Sequence, residues 1–66
     1  MKNTIRIERA IKNITQEELA HKTGVSRQTI NSIELSKFVP STMIALKIGK
    51  VLQKKVDELF YLEEFD

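Results

Sequence analysis

Residues 16–35, QEELAHKTGVSRQTINSIEL, decide how this chain is read. Leu19 and Ala20 stand on a short helix that runs into Gly24, where a tight turn calls for a backbone that tolerates positive φ. Val25 is placed to plug the gap between that helix and the next. Ser26 is suited to cap the second helix, because its hydroxyl accepts from a free N–H of the first turn. Ile30 and Ile33, three apart, share one buried face of that second helix. No one of these residues is diagnostic. Together, the apolar, small, glycine, apolar, cap and apolar positions fall in the register of two helices joined by a tight turn.

Outward from this stretch, Thr15 with Glu18 three residues later is a capping-box signature that opens the first of the two helices at Gln16. Before it, Ile7, Ala10, Ile11 and Ile14 follow the i, i+3, i+4, i+7 pattern and predict an amphipathic helix that buries this stripe. The helix over residues 27–35 is broken by residues 36–40, since proline disfavours helix in the residue before it. Ser41 or Thr42 then caps a fourth helix with Ile44, Ile48, Val51 and Leu52 on one face. After a polar break at residues 53–55, Val56, Leu59 and Phe60 form the apolar stripe of a short fifth helix. Residues 61–66 mix aromatics and acids without helical order. Tyr61, Leu62 and Phe65 are expected as a small antiparallel strand against residues 2–4. Five short helices with brief connections predict one all-α domain over residues 1–66, dominated by local contacts.

A chain of 66 residues is a small domain. Domains of this class bury roughly 60% of their unfolded surface, and that marginal core favours pairing with a second copy. With 41% hydrophobic and 30% charged residues the chain reads as globular rather than disordered. It has no cysteine, hence no disulfide framework and no thiolate metal site. The single histidine, His21, does not build a zinc site and reads as an exposed, idle imidazole. No cofactor or metal is expected. The apolar runs fall far short of the ~20 residues that cross a bilayer, and the N-terminus lacks the apolar core of a signal peptide. The expectation is a soluble cytoplasmic protein with no membrane partner.

The net charge of +2 conceals an asymmetry. All 11 Lys and Arg lie at or before Lys55 against Glu8, Glu17, Glu18 and Glu34, a balance of +7. Residues 56–66 carry the other five acids and no base, a balance of −5. A basic body suits a polyanion, and the acidic tail is expected to point away from it.

The stretch TQEELAHKTGVSRQTINSIE, followed by Lys37, Pro40 and STMIALKIGKVL, resembles the Cro/CI-like (Xre-type) family of helix-turn-helix transcriptional regulators, over roughly residues 5–60. It is most similar to minimal stand-alone members of about this size. The resemblance implies a five-helix, lambda-repressor-like fold and a homodimer that binds double-stranded DNA at a pseudo-palindromic operator, repressing or activating nearby genes.

In such a motif the second helix enters the major groove. At 100° per residue, with the core at the bisector of Ile30 and Ile33, Gln28 points straight outward, flanked by Asn31 and Ser32, with Arg27 nearer the side. Gln and Asn suit the N6/N7 pair of adenine, and Arg the O6/N7 pair of guanine. The resemblance supports Arg27, Gln28 and Ser32 as base-reading positions; Asn31 rests mainly on geometry. Helix starts attract phosphate. Gln16 is similar to the family glutamine that reaches the DNA backbone; Ser26, Thr29, Lys37 and Ser41 or Thr42 are further backbone candidates, with pure capping the alternative for Ser26 and Ser41. Arg9 and Glu34 resemble family positions that pair as a structural tie. The family dimerises through its C-terminal region, which points to Phe38, Val39, Val56 and Leu59 at a two-fold interface, although Val56, Leu59 and Phe60 could instead close the monomer core.

An enzyme is disfavoured, because the chain has no glycine-rich phosphate loop, no Ser/His/Asp constellation and no metal-ligand spacing. The competing class is a protein-interaction or antitoxin-like module whose C-terminal tail binds a partner protein. A separate protein partner could also supply the signal.

Overall fold

The computed structural model describes all 66 residues, in the order β1 (Lys2–Asn3), α1 (Ile5–Lys12), α2 (Gln16–Thr23), α3 (Arg27–Glu34), α4 (Thr42–Leu52), α5 (Val56–Leu59) and β2 (Phe60–Tyr61). Local chemistry sets most of these boundaries. At α2 both halves of the capping box form. The Thr15 hydroxyl accepts from the Glu18 N–H at 3.0 Å, and Glu18 Oε1 accepts from the Thr15 N–H at 3.1 Å. The helix ends at Gly24, whose φ of 75° is the left-handed conformation that spares glycine the Cβ penalty. Ser26 then caps α3, accepting from the Thr29 N–H at 3.1 Å. Ser41 rather than Thr42 caps α4, accepting from the Ile44 N–H at 3.2 Å.

Ten side chains form the core: Ile5, Leu19, Ala20, Ile30, Ile33, Ala45, Ile48, Leu52, Leu59 and Phe60. α2 packs most extensively on α3 and next on α4, so Leu19 and Ala20 meet Ile30 and Ile33 as the turn at Gly24 requires. Val25 packs, half-buried, against this cluster. The one buried polar residue, Thr23, donates its hydroxyl to the Leu19 carbonyl at 2.8 Å and leaves no orphaned group.

Two expectations are corrected. The isoleucine stripe of α1 faces solvent, with Ile7 61% and Ile11 70% exposed and Ala10 exposed as well; of the four expected residues only Ile14, just past the helix, packs half-buried against the core. The face turned inward carries Ile5, fully buried, and Arg9, whose guanidinium reaches Glu34 on α3. Only one side of so short a helix faces the protein, and the Arg9 ion pair together with Ile5 determines which. Phe60, expected at the end of α5, is instead a buried strand residue. β1 and β2 pair antiparallel with Lys2 opposite Tyr61 and Asn3 opposite Phe60, while Leu62 and Phe65 lie beyond the pair and are exposed. Asn3 anchors the strand by donating its amide to the Ile33 carbonyl at 2.8 Å, and the Thr4 N–H donates to the Leu59 carbonyl at 2.8 Å. The Met1 ammonium pairs with Asp66 at 2.8 Å and Glu63 at 3.3 Å, bringing the ends together.

On α4 the buried face is Ala45, Ile48, Gly49 and Leu52, with Ile44 and Val51 half-buried at its margins. Gly49 has a steric purpose, since a Cβ there would stand 2.7 Å from the Lys54 carbonyl oxygen. Helix propensity alone would favour alanine at this site by about 1 kcal/mol. The backbone clash reverses that sign, so Gly49→Ala lowers the thermal midpoint; a raised midpoint would show that the α4–α5 turn yields freely. At Gly24 a Cβ meets no atom within 4 Å but sits at φ 75°. Gly24→Ala therefore costs only the left-handed penalty of roughly 1–2 kcal/mol.

The capping box predicts a pH signature. Hydrogen bonds from the Thr15 backbone and hydroxyl, then the Lys22 charge, hold the Glu18 carboxyl below its ordinary value of 4.5 against a smaller opposing effect of burial. A carboxyl depressed in the folded state contributes its full stabilisation above the ordinary value and loses it as pH falls through the depressed one. Glu18→Gln should flatten the acid side of the stability–pH curve below 4.5 in thermal melts, and an unchanged acid limb would remove Glu18 from that role.

Candidate nucleic-acid interface

Because Ile30 and Ile33 are sealed in the core, α3 turns its other side to solvent. Arg27, Gln28 and Asn31 are exposed and Ser32 is half-buried, so all four expected base-reading residues reach one surface. They divide between two depressions. Gln28 and Ser32, with Thr29, Lys37 and Phe38, line a shallow one of about 340 Å³. Arg27 and Asn31 wall a polar cleft of about 600 Å³ where α1, α2 and α3 meet, opposite Arg6 and Gln16.

The floor of that cleft is an ion pair. Arg9 Nε donates to Glu34 Oε2 at 2.6 Å and Arg9 Nη2 to Glu34 Oε1 at 3.2 Å, with the side chains 15% and 5% exposed. The remaining arm, Nη1, donates to the Ile14 carbonyl at 2.9 Å and ties down the α1–α2 loop. Such bidentate geometry is the strong form of a carboxylate–guanidinium contact. Gln16, at the start of α2, leans over this pair. Its Nε2 donates to Glu34 Oε1 at 3.0 Å and to Asn31 Oδ1 at 3.0 Å. The Gln16 side chain is thus engaged with α3 and is not simply extended toward solvent. A phosphate would find the backbone N–H groups of the first α2 turn, or would exchange for one of these two bonds.

The other backbone candidates fall into two groups. Ser26 spends its hydroxyl capping α3 and on the Thr29 hydroxyl, 2.9 Å away, and Ser41 caps α4. Lys37 and Thr42 are exposed and make no side-chain hydrogen bond. Among the interface candidates, Phe38 and Val39 are exposed and Val56 is half-buried. Leu59 is corrected: it is fully buried in the chain's own core and has no surface to offer a second copy. His21 is exposed on the edge of α2, away from the cleft.

Arg6 escaped the sequence reading. Its signal was its position three residues before Arg9, which places both on one flank of α1 beside the start of α2. The Gln16–Asn31 bond also escaped it, because no periodicity links residues on two different helices. No group of three or more His, Cys, Asp or Glu side chains is arranged to hold a metal ion, and no helix is long and apolar enough to cross a membrane.

Residues 5–59 match the family model described as helix-turn-helix. The chain is 48% identical over 64 residues to an HTH-type transcriptional regulator of Methanocaldococcus jannaschii, covering 97% of each chain. It is 44% identical over 64 residues to the HTH-type transcriptional regulator YgzD of Bacillus subtilis, again with 97% of each covered. The fold superimposes on the crystal structure of the clp gene regulator ClgR from Corynebacterium glutamicum with a TM-score of 0.77 at 26% identity, spanning 82% of this chain and 57% of that one. Matched across the two capped helices, the turn at Gly24 and the helices around them, the chain belongs to the helix-turn-helix family of transcriptional regulators.

Proposed function

We propose that this protein is a sequence-specific transcriptional regulator that binds a pseudo-palindromic operator as a homodimer. One observation carries the reading. α3 exposes Arg27, Gln28 and Asn31 along one side while its opposite side is fixed in the core by Ile30 and Ile33. A helix held that rigidly presents its polar side chains to a major groove in one orientation. Gln28 and Arg27 have the donor and acceptor chemistry for adenine and guanine edges. The start of α2, the exposed Lys37 and the start of α4 supply phosphate contacts that fix register without reading sequence. Two copies would set their α3 helices in successive major-groove turns about 34 Å apart. Exposed Phe38 and Val39, with half-buried Val56, are the apolar candidates for the two-fold contact. Signal input through a separate protein partner is compatible with this arrangement.

A second reading draws on the tail, where Leu62 and Phe65 are exposed although both are large and apolar. A protein partner docking there, as an antitoxin-like module would use it, accounts for that exposure. Removing residues 62–66 leaves the β1–β2 pair in place. Loss of a partner with DNA binding intact would favour this reading.

Selection of bound duplexes from a random pool at near-physiological salt tests the main proposal. An enriched pseudo-palindrome with half-sites one helical turn apart is expected, with affinity falling steeply as salt rises. Gln28→Ala should relax the base preference at one position per half-site and weaken operator binding about tenfold for each half-site. Equal weakening on every duplex would make Gln28 a phosphate contact instead. Val39→Asp should shift the chain to monomer in sedimentation and weaken operator binding more than non-specific binding; an unchanged dimer would remove Val39 from the interface.

A further inference from the structure

The cleft between α1, α2 and α3 contains a chain of hydrogen bonds whose direction is forced. Glu34, ion-paired with Arg9, is a carboxylate and only accepts. A carboxamide in contact with it must therefore present its NH2 group, and Gln16 does so at 3.0 Å. The same nitrogen is 3.0 Å from the side chain of Asn31, so Asn31 must answer with its carbonyl oxygen. That leaves the Asn31 NH2 group to face the surface where α3 is exposed. Each amide's orientation follows from its neighbour's capacity to donate or accept, beginning at a buried charge.

We infer that Arg9, Glu34 and Gln16 act as a polarity relay that makes Asn31 a hydrogen-bond donor toward DNA, so that it selects guanine over cytosine at its position in each half-site. This rests on the proposed operator binding and names a specificity determinant within it. In the major groove guanine offers the O6 and N7 acceptors, whereas cytosine offers the N4 donor. An outward NH2 group satisfies the first and opposes the second. With Oδ1 committed to Gln16, Asn31 does not offer adenine the acceptor-and-donor pair that an unrestrained asparagine would. Gln16 and Glu34 are positioning residues, since neither need touch the base.

Reversing the polarity at Glu34 tests the relay. Glu34→Gln keeps the shape; with its carbonyl held on Arg9 Nε in the place of Oε2, it gives up the longer Arg9 Nη2 bond that Oε1 accepts and points NH2 from that position at Gln16. Gln16 then answers with its carbonyl, Asn31 with its NH2, and the Asn31 carbonyl faces outward. Random-duplex selection with the native chain and the Asn31→Ala, Glu34→Gln and Gln16→Ala variants reads this directly, each variant first checked for a cooperative thermal transition. Asn31→Ala should flatten one position per half-site. At that position Glu34→Gln should change the guanine-to-cytosine ratio about tenfold in cytosine's favour, with the other positions unchanged. Should Glu34→Gln not fold, Gln16→Ala leaves the ion pair intact but frees Asn31 to turn either way, and the ratio should approach one. If Asn31→Ala flattens a position that both other variants leave at its native preference, the relay is overturned while DNA reading stands. The relay also falls if Asn31→Ala flattens nothing. If the native chain enriches no duplex, the operator reading has failed and takes the relay with it.

Discussion

The arrangement of α1, α2 and α3 depends on the Arg9–Glu34 ion pair. Taking two charges to 15% and 5% exposure is costly, and in a chain of 66 residues there is little surplus stability to meet it. The geometry offsets that cost by satisfying both groups. The guanidinium spends its Nε and Nη2 on the carboxylate and its Nη1 on the Ile14 carbonyl, while the carboxylate takes a further bond from Gln16. One side chain on α1 thereby fixes the loop into α2, the start of α2 and the last turn of α3. Removing either partner would strand the other as a buried, uncompensated charge, a loss of about 3–5 kcal/mol where such pairs are broken. Few small domains have that much to lose.

The same pair explains which parts of the fold are legible in the sequence and which are not. The α2–turn–α3 unit is legible because each of its constraints is local: the Thr15–Glu18 box, the left-handed Gly24 and the Ser26 cap lie within a few residues of what they control. The closing strand pair is legible only in outline: an antiparallel strand from Tyr61 against residues 2–4 is found, but it begins at Phe60 and leaves out Leu62 and Phe65, and Asn3 is anchored by a bond to Ile33 that no local pattern shows. The inward face of α1 is hidden because periodicity measures only apolar spacing. Ile7, Ala10 and Ile11 fit that pattern well, yet the inward face is set by Ile5 together with an arginine whose partner lies 25 residues away. Leu59 is the converse case. Its place in a C-terminal apolar stripe suggests a second copy, but the α4–α5 turn, whose Lys54 carbonyl passes close over Gly49, folds α5 back onto α4 and closes the leucine into the monomer.

At the candidate site, exposure is legible and orientation is not. A helical wheel correctly places Arg27, Gln28, Asn31 and Ser32 away from the core, because the wheel depends only on Ile30 and Ile33 being buried. It is silent on what a side chain does once outside. Two of these residues, Gln28 and Ser32, flank a depression bounded by the start of the α3–α4 loop, and the other two belong to a cleft shared with α1 and α2. The base reading proposed for α3 would therefore be two physically different tasks. Gln28 has no side-chain partner and would be free to adjust to a base. Asn31 is already bonded across the helix pair and would meet a base with its choice made.

This difference bears on why a buried charge pair sits in so small a core. An apolar pair of similar volume could hold α1 against α3 as well or better, because it would avoid desolvating two charges. It could not orient Gln16. A methyl or methylene surface accepts either end of a carboxamide equally, so Gln16 and then Asn31 would rotate between two states of similar energy. The carboxylate removes that degeneracy, since only NH2 satisfies it. A glutamine at position 16 suits the relay for the same reason: lysine would also donate to Glu34 but would place a cation beside Asn31 that attracts any phosphate, while leucine would pass nothing on. The charge pair thus has a consequence beyond holding helices together. It converts a fixed fold into a fixed donor, two bonds away, on the exposed side of α3 proposed to meet DNA.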